Sequence, residues 1–202
     1  MSDSQVIQQL NALQRQVEDI YIPELATGRM AYAAAPVTLA APAGTVTFAD
    51  IPQTFRHLLL VYCARTDRAA EIDSIIVQFN GDTGNNYDVQ FLQATDTTVS
   101  ANGLLAQSSI ISLYCEAANS TANAFSSSGF FIWNYTDTNT FKTVSSLANG
   151  VFGNVSADAD AYIRILYGKW RSTAAITSIT LDQVTGPNFV TNSLFQLYGI
   201  TE

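Results

Sequence analysis

Two periodicities divide the chain. Val6, Leu10, Leu13, Val17 and Ile20 recur at intervals of 4, 3, 4 and 3, the spacing that lines side chains along one narrow stripe of an α-helix. Ser2 and Gln5 have the spacing of a capping box and Pro23 ends the pattern, so a helix is predicted over residues 2–22. Gln8, Gln9, Gln14, Arg15, Gln16 and Glu18 face outward or flank the seam. So narrow a stripe suits self-association, whereas a single amphipathic helix lying on its own β-domain is the plainer alternative. About two and a half heptads are too few to hold helices together in water, so an oligomer built on this stripe needs a second interface.

Residues 23–44 are rich in Ala and punctuated by Pro36 and Pro42, the texture of an extended linker. From Thr45 onward short runs of Val, Ile, Phe, Tyr, Thr and Ser alternate with Asn, Gly, Asp and Ser clusters, which is the pattern of strands and turns. Strands are expected near 45–49, 57–65, 74–79, 87–92, 109–116, 129–135, 140–148, 161–168, 176–182 and 193–199. Asn80-Gly81 and Asn149-Gly150 have the chemistry of tight hairpin turns, and residues 83–86 lengthen the first into a loop. The run Leu58–Cys63 is apolar throughout, as in a central strand covered on both faces, and its outer face is a candidate partner surface. By contrast, Ile163, Ile165 and Tyr167 alternate with Arg164, Leu166 and Gly168. The fold class expected is mainly β: a single antiparallel β-sandwich or jelly-roll-like domain over 45–202, preceded by a coiled-coil helix over 1–22 and a linker over 23–44.

Composition narrows the function. Within 202 residues, 48% are hydrophobic and 13% charged, enough apolar material for one packed core. The net charge is −8 and the basic residues are scattered, so no phosphate-binding stripe forms and nucleic acid is not an expected partner. No run is long and apolar enough to span a membrane, and the N-terminus has no signal-peptide pattern. Cys63 and Cys115 sit singly in apolar runs and read as buried free thiols.

Candidate chemistry is sparse. The one histidine, His57, opens an apolar strand, and no nucleophile elbow, phosphate-cradling loop or metal-binding motif occurs, so no enzymatic activity, cofactor or metal is expected. Asp82 with Asp88, and Asp158 with Asp160, are the carboxylate pairs that glycoside hydrolysis would need, which keeps a carbohydrate-degrading enzyme as the distant alternative. The loop from Asn80 to Asp88 also carries oxygen ligands without the spacing of a calcium-binding helix-loop-helix motif. Turns use Asp for backbone hydrogen bonds far more often than for catalysis. Trp133, Tyr135, Phe141, Trp170 and Tyr198 are rings that either stack on sugars or pack in the core, and packing accounts for most. Asn119, Asn134 and Asn154 begin sequons that chance explains in so Asn/Ser/Thr-rich a chain. The candidate recognition loops are Gly81 to Asp88, with Asp82, Asn85, Asn86 and Asp88, and Gly153 to Asp160, with Asn154, Asp158 and Asp160.

Four separated segments in order, FADIPQTFRHLLLVYCART, IIVQFNGDTGNNYDVQFL, KWRSTAAITSITL and the ending SLFQLYGI, resemble small virion structural proteins of tailed bacteriophages. The resemblance covers roughly Phe48 to Ile200 and leaves out the N-terminal helix; it carries over no catalytic residues. It implies a virion protein, assembled in the host cytoplasm, with a fibre-like or tail adhesion role, or else decoration of the capsid surface. The expected partners are further copies of the chain as a homotrimer, other virion proteins, and a host-surface glycan or protein.

Overall fold

The structure, a computed structural model, describes residues 30–147, 149–152 and 161–201. The helix expected over 2–22, with Val6, Leu10, Leu13, Val17 and Ile20, lies outside the described residues, as do Asn154, Asp158 and Asp160.

The described residues are mainly β, with no helix among them. Fourteen strands run in chain order: β1 Met30–Tyr32, β2 Val37–Thr38, β3 Val46–Phe48, β4 His57–Ala64, β5 Ile72–Phe79, β6 Tyr87–Thr95, β7 Thr98–Gln107, β8 Ile110–Glu116, β9 Ser126–Trp133, β10 Lys142–Ser146, β11 Asn149–Phe152, β12 Ala161–Trp170, β13 Ile179–Gln183 and β14 Leu194–Ile200. They form two antiparallel sheets. The large sheet has the order β1-β14-β4-β9-β10-β12-β6-β7, with β11 also on β12 and β2 also on β14; the small sheet is β3-β13-β5-β8.

The two sheets share one core. Leu58, Leu60 and Tyr62 on β4, Phe130 and Ile132 on β9, and Leu197 on β14 are at most 2% exposed and meet Ile75, Val77, Phe79, Leu113, Ile179 and Leu181 of the small sheet. Alternate residues of each strand point inward because the side-chain period of a strand is two. Burying this cluster is the main stabilising term of the fold, at about 1.5–3 kcal/mol per large apolar side chain. β4 is central as expected, lying between β14 and β9. Its inward residues are fully covered, whereas Val61 and Cys63 on the other face are half-buried. Cys63 is therefore not a fully buried thiol; Cys115 is, and both are free.

Three features depart from the sequence-based expectation. First, from Met30 onward the segment read as a linker belongs to the sheet: Tyr32 lies opposite Tyr198, Val37 opposite Phe195, and the Ala33 N–H donates to the Leu197 carbonyl at 2.8 Å. The run is extended, but it is extended because it pairs. Second, Asn149-Gly150 is no turn. Asn149 is buried opposite Arg164 and Gly150 lies opposite Ile163. Between the pairs Ser145–Tyr167 and Asn149–Arg164 one strand has residues 146–148 and the other only Ile165 and Leu166. The Leu166 N–H donates to Ser146 Oγ at 2.8 Å there. Third, Asn80-Gly81 does turn the chain but makes no hairpin, because β5 belongs to the small sheet and β6 to the large one.

Candidate functional site

The connection from β5 to β6 is the one candidate recognition loop among the described residues. Asn80 (φ 53°) and Gly81 (φ 67°) both take left-handed backbone, the geometry of a mirror-image two-residue turn that Asn and Gly adopt most readily. The turn closes with the Asp82 N–H on the Phe79 carbonyl at 2.9 Å. Asn80 then works as a clamp on the far side: its Oδ1 accepts the N–H groups of Thr177 and Ser178 at 2.8 and 3.1 Å, and its Nδ2 donates to the Ala175 carbonyl at 2.7 Å.

Asp82 is the hub of the loop. Its carboxylate accepts the Gly84 N–H at 2.8 Å, the Asn86 amide at 2.9 Å and the buried indole N–H of Trp170 at 2.7 Å. Partial burial acts to raise its carboxyl, but the bonds from Trp170, Asn86 and Gly84 together outweigh that and leave it lowered. Beneath it, the Tyr87 hydroxyl accepts the Phe79 N–H at 3.0 Å and donates to the Asp82 carbonyl at 3.1 Å, and burial pushes that phenol up to about 12. Phe79, Tyr87 and Trp170 pack together below, with ring centroids 5.6–6.3 Å apart.

Asp88 is similarly engaged. The β6–β7 register shifts after Tyr87, which leaves Ala106 at φ 54°, and Asp88 Oδ1 accepts the Ala106 N–H at 3.0 Å. Lys169 and Arg171 approach its other oxygen at 3.0 and 3.6 Å. The Ala106 N–H, helped by the two cations, holds this carboxyl below its ordinary value. Asn85 and Asn86 carry exposed side chains at the tip, while the carbonyls of both residues accept from Arg171. The loop is thus a preorganised rim: its carboxylates face inward to the scaffold, and the surface it offers is amide, hydroxyl and backbone. Among the described residues no three His, Cys, Asp or Glu side chains gather as a metal site.

The rings flagged in the sequence separate by register. Trp170 and Tyr135 are buried, Trp133 and Phe141 are exposed, and Tyr198 is half-buried. His57 accepts the Asn134 N–H on Nδ1 at 3.0 Å and meets Trp133 edge-on.

A larger feature escaped the sequence reading. The outward face of the large sheet carries a rung that crosses every strand of its order: Tyr32, Tyr198, Leu59, Phe131, Ser145, Tyr167, Gln90 and Gly103 lie opposite one another in turn. Ile163, Ile165 and Tyr167 belong to this face and are 47–56% exposed, whereas Arg164 and Leu166 point to the core side. Arg164 is held there between the Phe91 and Tyr114 rings, 4.1 and 3.9 Å from their centroids. The signal was present as strict alternation on β12, but Leu166 and Gly168 are as compatible with a core as Ile165, so the phase was unreadable.

No protein-family model matches the chain, and no curated protein matches it significantly. Its function therefore rests on the residues themselves.

Proposed function

We propose that this chain is a structural protein of a bacteriophage virion, a fibre-like or tail adhesion component that binds a host surface or another virion protein without turnover. In this reading residues 1–22 form the stem of a homotrimer through Val6, Leu10, Leu13, Val17 and Ile20. The stem projects three copies of a sandwich-like β-domain, so weak single contacts add up to avidity on a dense receptor surface.

The observation that carries the proposal is the use made of Asp82 and Asp88. An acid/base pair must reach a substrate, yet each of these carboxylates is committed to scaffold donors, three on Asp82 and one N–H plus two cations on Asp88. What remains outward suits contact: the exposed side chains of Thr83 and Asn85 on a rim that Gly84 and Asn86 fix through Asp82.

Incubating the protein with host envelope polysaccharide, and measuring both retention and release of reducing ends, tests this directly. Retention without new reducing ends is expected, with binding weakened by Asn85→Ala. Release of reducing ends that Asp82→Ala or Asp88→Ala abolishes would contradict it. Attachment to particles lacking the chain, with no polysaccharide retention, would move the assignment to capsid decoration.

A further inference from the structure

We infer that the outward face of the large sheet is the surface through which copies of this chain pack against one another, forming the second interface that a short stem requires. The inference goes beyond adhesion and is independent of where on a particle the chain resides.

Among the described residues, eight of the twelve large apolar side chains left exposed sit on this one face: Met30, Tyr32, Leu92, Val99, Trp133, Ile163, Ile165 and Tyr167. Scattered exposed apolar residues are ordinary, but a contiguous set on one sheet face is the mark of a covered surface. A shallow groove of ≈ 380 Å³ runs along it, lined by Gln90, Leu92, Ala101, Ile165 and Tyr167.

Size decides between occupants. Eight strands in order span about 34 Å at ~4.8 Å per spacing, and with roughly 25 Å of strand length the face approaches ~800 Å², the share each partner contributes to a standard protein interface. One amphipathic helix is about 10 Å wide and covers about a third of that width, so the chain's own N-terminal stripe is too narrow to close it.

Four of the rings on this face pair among themselves. Tyr32 and Tyr198 stack at 4.7 Å and 22°, and Phe131 and Trp133 stack at 5.4 Å and 19°. Each of these rings spends one flat face on its neighbour, and the half of the face on β12, β6 and β7 carries the aliphatic Leu92, Val99, Ile163 and Ile165 around a single ring, Tyr167. Interdigitating rings and aliphatic side chains are what a second protein layer packs against.

Charge points to a further copy as that layer. The chain carries −8, so copies repel over most of their surface. Among the described residues, however, the charged side chains directed outward along the strands of this face are Lys169 and Asp88, paired at 3.0 Å, with Arg171 just past β12 at 3.6 Å from the same carboxylate. The face lacks the excess negative charge of the chain as a whole, so like-charged copies can meet through it.

Hydroxyl-radical footprinting of the full chain, with its mass read by sedimentation on the same sample, tests the inference. Ile165 and Tyr167 are 47% and 54% exposed in a single copy, and Val184 on the small-sheet side is 50% exposed, so uncovered they should show equal reactivity once each rate is divided by that of the free amino acid. The expected result is an oligomer in which Ile165, Tyr167 and Trp133 are about tenfold less reactive than Val184, as in a water-excluding interface core. The double variant L92K/I165K, shown by circular dichroism to keep its β-structure, is expected to restore the reactivity of Tyr167, whereas T47K on the small sheet should leave it protected. An oligomer whose Tyr167 reacts as freely as Val184 overturns the inference, since the stem alone then holds the copies. A monomer overturns it whether the face is reactive or protected; a protected monomer would assign the face to the chain's own N-terminal segment.

Discussion

Trp170 and Asp82 are joined by a 2.7 Å hydrogen bond that ties the end of β12 to the loop leaving β5. Trp170 is 2% exposed, so with Asp82 in place its indole N–H is covered and has this carboxylate as its acceptor. Through this bond the large sheet holds a loop that begins in the small one, which makes Asp82 a structural residue with an exposed neighbourhood. Asp82→Ala is therefore expected to cost about 1–3 kcal/mol, the range for stranding a buried donor. Asp82→Asn, which keeps an acceptor oxygen, should cost less. Thermal denaturation followed by tryptophan fluorescence measures both; an Asp82→Ala protein as stable as the parent would show that the bond contributes nothing.

Acid should loosen the same region. The Thr140 hydroxyl and the Asn139 N–H hold the Asp137 carboxyl at about 2, and Asp88 is lowered by the Ala106 N–H and its cations. Carboxyls lowered in the folded state take up protons more readily once the chain unfolds. The stability they confer is complete above their ordinary value of 3.8, and it is lost as pH falls from there towards about 2. Melting temperature should drop over that window, and an Asp88→Asn/Asp137→Asn protein should show a shallower drop. Identical acid profiles for parent and variant would refute this.

Truncation separates the residues before Met30 from the sheet. A chain beginning at Met30 retains every described strand and is expected to keep β-type circular dichroism and a cooperative melt. Beginning instead at Pro42 removes β1 and β2, with the buried Ala33 and the bonds Ala33 to Leu197, Leu39 to Ser193 and Asn192 to Leu39. At about 1 kcal/mol for each lost hydrogen bond, that shorter chain should be a few kcal/mol less stable by urea unfolding. Equal stability of the two truncations would mean that β1 and β2 are dispensable.

Two glycines on the large sheet make opposite predictions. A Cβ on Gly129 would lie 2.2 Å from the Leu60 carbonyl oxygen, where only backbone can move, whereas a Cβ on Gly103 would meet the mobile Gln90 Oε1 at 2.7 Å. Gly129→Ala should destabilise by about 1–3 kcal/mol or more, as overpacking does. Gly103→Ala should be near neutral in a urea titration; the reverse order would contradict the β4–β9 spacing.

The legible part of the fold was the part built from strong β-formers. β4, β5, β8, β9, β12 and β14 are rich in Val, Ile, Leu, Phe and Tyr, and each lies where the alternation places it, within a few residues. β7 was missed because its sequence, TVSANGLLAQ, is almost wholly exposed, and small and amide residues there leave no alternation to detect. β1 and β2 are three and two residues long and owe their structure to β14, which local sequence does not display. Asn149-Gly150 misled because turn chemistry is a local preference and the register with β12 overrode it. At the candidate site, the exposure of Asn85 and Asn86 could be inferred from a Gly/Asn-rich loop, but the inward commitment of Asp82 could not, since Trp170 is remote in sequence.

Cryo-electron microscopy of the intact particle tests the central claim most directly. The account predicts threefold-symmetric density at the particle surface into which three copies fit, with their large-sheet faces turned towards one another and the loops from Asn80 to Asp88 turned outward. Purified infectious particles that contain no such density, and none of this chain by peptide mass spectrometry, would contradict it.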